Sequence, residues 1–407
     1  MSLNSTPRSE RTHIAFVGKR NAGKSSLVNA VTGQDMSIVS STLGTTSDPV
    51  SKAMELLPLG PVVIVDTPGY DDDDPSLGGV RIERAKRVLA KTDIVVVVMD
   101  VRTGRTVYED ELIAQCEERK IPYVCVYTHS DLMDSKPIYP SSLPSGSLPP
   151  VYVSSLTGDG VQDLKNLLAS LGKKKGKTLP IVSDIIESGD VVVLVVPIDE
   201  SAPKGRLILP QVQTLRDILD AGAIGITVKE TELEGALRAL SIPPALVITD
   251  SQVFGEVARI VPESIPLTSF SILMARHKGF LNEAVRGVAA LKHLESHNRV
   301  LIAEGCTHDR KCNDIATVKL PRLIEKTVGA SIDVRTSTGF DFPDDLSGVA
   351  TVIHCGGCML NGKEMEHRRN IAHVQGVPLT NFGLSLAYMN GVLKRSLEIF
   401  PELAALV

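Results

Sequence analysis

The segment GKRNAGKS, residues 18–25, has the residue types and the spacing that hold a polyphosphate. It fits the pattern G-x-x-x-x-G-K-S and stands between the apolar run HIAFV and a stretch with helical character. In such a loop glycines let backbone N–H groups face the phosphates, Lys24 supplies a charge near the β- and γ-phosphates, and the Ser25 hydroxyl can bind Mg²⁺. The segment therefore predicts a nucleotide site. Its predicted members are Gly18, Asn21, Ala22, Gly23, Lys24, Ser25 and Ser26.

A second segment, DTPG at residues 66–69, follows the apolar run PVVIVD and supports the same interpretation. Asp66 can hold the hydration shell of Mg²⁺, and the Gly69 N–H can contact a γ-phosphate. Between the two motifs, Thr45 or Thr46 could close over the metal in the triphosphate state, and we favour Thr46. The residues predicted to take part in catalysis are Lys24, Asn21, Thr46, Asp66 and Gly69.

The segment THSD, residues 128–131, stands where GTPases usually carry N-K-x-D, after the apolar run IPYVCVY. Asp131 keeps the carboxylate that accepts from N1 and N2 of guanine, whereas Thr128 and His129 replace the first two residues of the motif. We therefore expect a guanine preference in weakened form. Ser154 and Ser155, in SSL, fit the loop that backs the base, and a plain serine turn is the alternative.

The residue after Gly69 is Tyr70, not the glutamine that orients the attacking water in Ras-like switches. Slow GTP hydrolysis is therefore predicted. GTPases without that glutamine often carry an asparagine at the position of Asn21 and use it together with K⁺ near the phosphates. This resemblance implies stimulation by K⁺, and the alternative is that Asn21 only shapes the loop.

Three cysteines near the end of the chain follow two apolar runs. Cys306 follows NRVLIAE, and Cys355 and Cys358 follow SGVATVI. In open α/β sheets ligands bind beyond the carboxyl ends of the strands, so we expect the three sulfurs to converge. Their spacing is compatible with a Cys-x-x-Cys redox pair, a structural zinc site or an iron–sulfur cluster. We favour the cluster, because a redox pair leaves Cys306 unexplained; Cys312 lies outside the motif.

The elements that must position these residues alternate between apolar strands and amphipathic helices, which predicts an α/β chain with mostly parallel sheets. The length of 407 residues predicts two or three globular units. The connector KKKGKTLP favours a boundary near residue 175. We predict a P-loop GTPase domain at residues 1–175, then two smaller α/β domains. The middle domain, at 176–270, is predicted to form a dimer, with a bare spacer as the alternative, and the cluster domain is at 271–407.

Composition argues against several classes of partner. The formal net charge is −5 and the chain has no long basic block, so we expect neither nucleic acid nor a membrane surface as partner. The first dozen residues lack the apolar core of a secretory signal, and no apolar run reaches the roughly 18 residues of a membrane span. We therefore expect a cytoplasmic protein.

The cysteine pattern, taken with the nucleotide motifs, resembles that of a known family. C-x-H followed about 45 residues later by H-C-x-x-C, behind a GTPase and an α/β middle region, is similar to the HydF family, a GTPase involved in iron–iron hydrogenase maturation. The resemblance covers all three regions in order. It implies a 4Fe-4S cluster on Cys306, Cys355 and Cys358. His308 and His354 occupy the histidine positions of the motif, which does not by itself make either one a ligand.

The same resemblance implies a function for the whole chain. HydF proteins are scaffolds and carriers that receive a diiron precursor from two radical S-adenosylmethionine enzymes and deliver it to apo FeFe hydrogenase. GTP, Mg²⁺, a 4Fe-4S cluster and K⁺ are the implied cofactors, and a homodimer is expected. The alternative is a GTPase that regulates assembly and carries a structural zinc site in its C-terminal domain.

Overall fold

A computed structural model describes most of the chain. The described residues are 6–33, 50–66, 88–133, 148–172, 179–198, 207–305, 314–339 and 341–407. The chain divides after residue 176 into two compact units.

The first unit is built around one six-stranded sheet with the strand order β2-β3-β1-β4-β5-β6. Its strands are β1 (Thr12–Val17), β2 (Val50–Leu56), β3 (Gly60–Asp66), β4 (Ile94–Asp100), β5 (Tyr123–Thr128) and β6 (Val151–Tyr152). Three α-helices that lie wholly within the described residues accompany it: α1 (Lys24–Thr32), α2 (Val107–Glu118) and α3 (Val161–Gly172). Edge strand β2 runs antiparallel to β3, and the other neighbouring strands are parallel.

The central strands of this sheet are apolar because both of their faces are covered. Every residue of β1 and of β4 is buried. Side chains from alternate positions enter two separate apolar clusters, one containing Ile14 and Phe16 and the other containing Ala15 and Val17. A continuous apolar run is what a parallel strand with helices on both sides requires. The sheet therefore presents the carboxyl ends of β1, β3, β4 and β5 along one edge.

The second unit contains two four-stranded sheets in which every pair is parallel. The first sheet comprises β7 (Val191–Val195), β8 (Ile224–Val228), β9 (Leu246–Thr249) and β10 (Leu267–Ser269). The second comprises β11 (Arg299–Ala303), β12 (Asp333–Ser337), β13 (Val349–His354) and β14 (Leu379–Asn381). The α-helices among the described residues are α4 (Leu209–Asp220), α5 (Leu233–Ala239), α6 (Phe254–Ile260), α7 (Phe270–His277), α8 (Leu281–Val288), α9 (Leu320–Val328), α10 (Gly362–Val374), α11 (Phe382–Met389), α12 (Leu393–Ser396) and α13 (Pro401–Ala404).

The strand order of the second sheet is β12-β11-β13-β14. The chain passes from β11 to β12 on one side and then returns to place β13 on the other side of β11. The strand order therefore reverses between β11 and β13, which is where open α/β sheets have their ligand crevice. Residues 306 and 355 are the first cysteines beyond these two strands.

The predicted fold class, a P-loop domain followed by α/β regions with mostly parallel sheets, is confirmed. Helix α8 ends at Val288, and a short 3₁₀ helix follows directly at residues 289–293. Helix α10, which follows Cys355 and Cys358, begins at Gly362. Its N-cap is Asn361, whose side chain accepts from the N–H of Glu364. Residues 355–361 therefore form a loop of their own, called here the cysteine turn, in which the N–H of Leu360 donates to the carbonyl oxygen of Gly357.

Helix α8 lies unusually close to strand β14. A Cβ atom added to Gly287 would stand 2.1 Å from the carbonyl oxygen of Leu379, so glycine is the residue that permits this contact. Within the described part of the chain, no helix has both the length and the apolar character that crossing a membrane requires.

We expect Gly287→Ala to destabilise the second unit by about 1–3 kcal/mol, because the added methyl group overlaps backbone that cannot rotate away. Gly235→Ala in α5 is the matched control, since no heavy atom lies within 4 Å of its Cβ position, and it should raise stability by about 0.5–1 kcal/mol. Urea unfolding followed by circular dichroism measures both. Equal effects of the two substitutions would contradict the close packing of α8 on β14.

Candidate functional site

The phosphate loop connects β1 to α1, and two of its glycines lie very close to neighbouring strands. A Cβ at Gly18 would stand 2.2 Å from the carbonyl oxygen of Val98 in β4, so this position excludes any side chain. Gly23 has φ 79° and is the N-cap of α1. Its Cβ position lies 3.1 Å from the hydroxyl of Thr128. The glycines therefore let the loop lie against the ends of β4 and β5.

Lys24 is buried and bends back over the loop. Its Nζ donates to the carbonyl oxygen of Gly18 at 2.7 Å and also to that of Lys19. The ammonium group thus lies above the loop's own carbonyls, on the side where a phosphate would be held. Ser25 and Ser26 follow in the first turn of α1 with exposed side chains, accessible to a ligand.

Asp66 is the last residue of β3 and pairs with Phe16 of β1, so the backbone of the DTPG segment starts beside the phosphate loop. Asn21 is exposed and has φ 60°, a left-handed conformation that asparagine tolerates better than most residues. Thr45, Thr46 and Gly69 lie outside the described residues.

Thr128 joins three elements at the predicted base site. Its hydroxyl lies 2.8 Å from the carbonyl oxygen of Ala22 in the phosphate loop and 3.1 Å from that of Met99 in β4. The hydroxyl can donate to either oxygen and is almost fully buried. Where other GTPases have an asparagine, this chain therefore uses a threonine that fixes the loop to the sheet.

His129 occupies the lysine position of the usual motif and lies beside a carboxylate. Its Nδ1 is 3.2 Å from Oδ2 of Asp100, and its φ is 59°. Both carboxylate oxygens of Asp100 also accept from Arg102. The hydrogen bonds from Arg102 are the largest cause that lowers the pKa of Asp100 to about 2, with a smaller contribution from His129.

Asp131 and Ser154 lie together, as the sequence interpretation of a base pocket requires. The Ser154 hydroxyl donates to the Asp131 carboxylate, and this hydrogen bond is the main cause that lowers the pKa of Asp131 below its usual value. Ser154 also accepts from the N–H groups of Leu156 and Thr157, which holds the SSL turn in place. Asp131 is exposed and available to a ligand, and Ser155 follows in the same turn.

The second candidate site lies where β11 and β13 end. These strands are parallel neighbours, and Ala303 pairs with His354. The N–H of Gly305 donates to Sγ of Cys355 at 3.1 Å, and the N–H of Gly357 donates to the same sulfur at 3.4 Å. Because Gly305 directly precedes Cys306, the chain enters the first cysteine segment beside Cys355.

Cys355 and Cys358 are free thiols with partly exposed surfaces. Burial raises the pKa of the Cys355 thiol, and the two backbone N–H groups oppose this effect. Burial also raises the pKa of Cys358 to about 12. Cys355 packs against the core of the second sheet, whereas Cys358 packs against the apolar cluster of the first sheet that contains Met274. The cysteine turn thus lies where the two sheets of this unit meet.

His354 is completely buried, and both of its ring nitrogens have partners. Nε2 is 3.0 Å from a guanidinium nitrogen of Arg368, and Nδ1 is 2.7 Å from the carbonyl oxygen of Cys355. Arginine only donates, so Nε2 accepts and Nδ1 carries the proton that is donated to Cys355. Burial first, and the nearby guanidinium second, lower the pKa of His354 to about 3, which keeps the ring neutral.

A complete metal-binding group is not formed by the described residues alone. In the ranges that the structure describes, no three His, Cys, Asp or Glu side chains come together as a metal site requires. Cys306, His308 and Cys312 lie outside those ranges, so the convergence of Cys306 with Cys355 and Cys358 stays a prediction.

Comparisons with known proteins identify each part of the chain. Residues 13–129 match the family model described as 50S ribosome-binding GTPase. Residues 181–279 match the hydrogen maturase F dimerization domain, and residues 282–399 match the hydrogen maturase F tetramerization domain. The last two models together span more than half of the chain. The chain belongs to the HydF (hydrogen maturase F) family.

The other relatives resemble only a part of this HydF chain. tRNA modification GTPase MnmE of Burkholderia ambifaria (strain MC40-6) is 32% identical over 168 residues, which are 41% of this chain and 36% of that protein. The same enzyme of Cyanothece sp. is 30% identical over 157 residues, 39% and 34% of the two chains. The matched region therefore spans about a third of these curated relatives.

Solved GTPase structures are also similar to part of the HydF chain. Era of Aquifex aeolicus with bound GDP and AlF4⁻ has a TM-score of 0.33 and 20% identity, covering 61% of this chain and 97% of that one. The G domain of the FeoB iron transporter of T. maritima has a TM-score of 0.30 and 22% identity, covering 40% and 99%. The family match and the loop geometry together make the first unit a P-loop GTPase domain.

Sequence reasoning missed two participants in the cysteine site of this HydF chain. Gly305 contributes a backbone donor to Cys355, and Arg368 contacts His354 from helix α10. A glycine before a cysteine has no distinctive signal. The two arginines in HRRN, residues 367–370, carry only a weak signal, since the sequence of this charged helix does not say which arginine faces inward.

We expect Asp131→Asn to weaken GTP binding about 10- to 100-fold, because hydrogen bonds to a charged group contribute about 1.5–3 kcal/mol each. Xanthosine triphosphate, which has a carbonyl in place of the guanine amino group, should lose much less affinity. Asp163→Asn in α3 removes the same charge from an exposed position and is the control. Titration with fluorescent nucleotide analogues measures the affinity of each variant for each of the two nucleotides, relative to the unaltered protein. Unchanged GTP binding by Asp131→Asn would exclude Asp131 as the base acceptor.

Proposed function

We propose that this chain is a GTP-hydrolysing maturation factor that holds a 4Fe-4S cluster on Cys306, Cys355 and Cys358. In this proposal it acts as scaffold and carrier of the diiron precursor for apo FeFe hydrogenase. Membership of the HydF family supports the maturation role. The observation that carries the cluster proposal is the hydrogen bond between the Gly305 N–H and the Cys355 sulfur, since Gly305 is the residue directly before Cys306 in the sequence.

The residues around Cys355 fit an iron–sulfur cluster. Two backbone N–H groups already point at the sulfur, and such donors stabilise a thiolate that is bound to iron. The partly exposed cysteine turn gives a cluster access to solvent and partners. When bound, a cluster on three cysteines would offer one iron coordination position to an exchangeable ligand. Such a position suits a carrier.

His354 fits a supporting role better than that of a ligand. Both ring nitrogens are engaged, so coordination to iron would require one buried hydrogen bond to break. His308 is the other histidine of the motif, two residues after Cys306, and is the remaining candidate for the fourth position.

The nucleotide site is proposed to act as a switch. Ser25, Thr46 and Asp66 would hold Mg²⁺, and Gly69 would contact the γ-phosphate. Triphosphate would order the loops that carry Thr46 and Gly69, and hydrolysis would release them. Hydrolysis is proposed to be slow, because Tyr70 stands where a catalytic glutamine would orient water.

Assembly into oligomers follows from the matched domains. The model descriptions name a dimerization and a tetramerization domain, which supports a homodimer as the basic assembly. Strand β8 is an outer strand of the first sheet in the second unit, and its Ile224 is exposed. An edge strand of this kind can pair with another copy. Apo FeFe hydrogenase and two radical S-adenosylmethionine enzymes are the proposed partners in the cytoplasm.

The competing proposal is a GTPase assembly regulator with a structural zinc site. Three cysteines and one histidine would then form a closed tetrahedral shell. Metal and sulfide analysis of anaerobically purified protein separates the two proposals. Iron and sulfide with broad thiolate-to-iron absorption support the cluster, whereas one colourless zinc per chain supports the alternative.

We expect Cys306→Ser and Cys355→Ser each to lose the bound iron and sulfide, because each removes one of three proposed ligands. Cys312→Ser is the matched control, since it changes a neighbouring cysteine outside the motif and should keep the cluster. Iron content after anaerobic reconstitution is the measurement. Retention of a full complement of iron by Cys306→Ser would rule out the three-cysteine site. A reversible disulfide between Cys355 and Cys358 without metal would favour the redox pair instead.

We expect GTP hydrolysis to be faster in K⁺ than in Na⁺, and Asn21→Gly to abolish that difference while GTP binding is kept. Glycine is the suitable replacement because φ at this position is 60°, where alanine would add strain. Steady-state phosphate release in the two salts measures the effect. If Asn21→Gly still responds to K⁺ like the unaltered protein, the asparagine only shapes the loop.

A further inference from the structure

Helix α10 carries two consecutive arginines, of which the first is completely buried and the second is partly exposed. Arg368 has no exposed surface and is the largest of the fully buried side chains among the described residues. Arg369 reaches the surface and pairs with Glu283. A charged group is buried at this cost only when its partners compensate for the lost water. The partners of Arg368 therefore indicate why it is there.

The guanidinium of Arg368 contacts the ends of three neighbouring strands. Its Nη1 is 3.0 Å from Nε2 of His354, at the end of β13, and 3.5 Å from the carbonyl oxygen of Glu304, just beyond β11. Its Nη2 donates to the carbonyl oxygen of Gly339, beyond β12. Its Nε donates to Glu364 at 2.9 Å, which balances the charge within the same helix. One rigid planar group thus holds the loops that follow β11, β12 and β13.

The contact with His354 continues into the cysteine turn. Since Arg368 only donates, the histidine must accept at Nε2 and donate from Nδ1 to the Cys355 carbonyl oxygen, 2.7 Å away. This fixes the peptide between Cys355 and Gly356. The N–H that points at the Cys355 sulfur, from Gly357, is one residue further along. A hydrogen-bond relay therefore runs from α10 to the backbone that presents the sulfur.

The surroundings favour a fixed relay over a mobile one. The Phe342 ring lies 5.2 Å from the guanidinium carbon, and the His354 ring lies between Phe342 and Phe280 at centroid distances of 6.4 and 6.3 Å. These rings leave the histidine and the guanidinium little freedom to adopt other rotamers. The relay is thus pre-organised before any metal binds.

We propose that Arg368, acting through His354, is a positioning residue of the cysteine site that determines how firmly a cluster is held. The inference rests on the proposed cluster-binding function. It assigns His354 to the support of Cys355 and not to iron. Outer partners of this kind typically change metal affinity by about 10- to 100-fold when they are removed.

The test uses the full chain, reconstituted anaerobically with iron and sulfide, and compares Arg368→Met with Arg369→Met. Methionine fills similar volume but removes every donor. We expect iron release to the chelator bathophenanthroline disulfonate to be about tenfold faster or more in Arg368→Met, with an altered electron paramagnetic resonance spectrum of the reduced cluster. Arg369→Met, one residue away and partly exposed, removes the same charge and the pair with Glu283 but no contact of the relay, so it should match the unaltered protein. A lower melting temperature with unchanged release and spectrum would overturn the inference, because it would make Arg368 only a core residue.

A double-mutant cycle tests the relay itself. His354→Phe keeps a ring among Phe280 and Phe342 but removes both hydrogen bonds, and it should accelerate release by a factor similar to that of Arg368→Met. In a relay the double variant is no worse than either single variant, whereas multiplied effects would refute it. If Arg368→Met does not fold, His354→Phe decides alone, and unchanged release then overturns the inference. Absence of iron from the unaltered protein would instead refute the proposed cluster.

Discussion

The parallel pairing of β11 with β13 is the constraint on which the cysteine site depends. Backbone hydrogen bonds along these two strands set Ala303 opposite His354. Because of this register, both strands end at the same edge of the sheet. Only in that register can the Gly305 N–H reach the Cys355 sulfur. A slip of one residue would exchange the two faces of the strand and turn His354 away from the buried guanidinium. The chemistry at this edge is therefore a consequence of sheet register.

Much of the fold could be predicted because its strands are apolar runs with motifs at their ends. β1, β3, β11 and β13 were all expected from such runs, and the phosphate loop follows the first of them. Strand β12 could not be found this way, since its sequence DVRTS is polar and half-exposed at an outer position. Its place is decided by pairing with β11. Arg368 could not be predicted as a site residue for a related reason. Its role depends on contacts with three other segments of the chain, which the sequence of its own helix does not indicate.

The two sheets of the second unit repeat one arrangement. Their strand orders, β10-β9-β7-β8 and β12-β11-β13-β14, have the same topology when read from opposite ends. The last strand of each sheet enters a helix through a similar sequence, LTSF at 267–270 and LTNF at 379–382. Ser269 and Asn381 act as N-caps there, each accepting from the N–H three residues on. The side-chain amide of Asn381 also donates to the carbonyl oxygen of Ser271, so the two helix starts contact each other.

Because the two sheets share one topology, the segments that follow matching strands can be compared directly. In the first sheet β9 ends at Thr249, followed by Asp250, whose side chain caps a short 3₁₀ turn. In the second sheet the matching strand ends at His354, followed by Cys355. The same topology thus places a capped 3₁₀ turn after β9 and the cysteine turn after β13. Sheet geometry supplies the location, and the side chains at the strand end supply the chemistry.

Each unit places a buried cation near the carboxyl ends of parallel strands, and the two residues have different properties. Lys24 is a point charge on a flexible stem, held by the carbonyl oxygens of Gly18 and Lys19, and it can exchange these for phosphate oxygens. Arg368 is a planar fork whose charge is balanced by Glu364, and its contacts span several loops at once. Exchange of any one contact would disturb the rest. The lysine therefore suits a site whose ligand comes and goes, and the arginine suits a site whose loops are held in one arrangement.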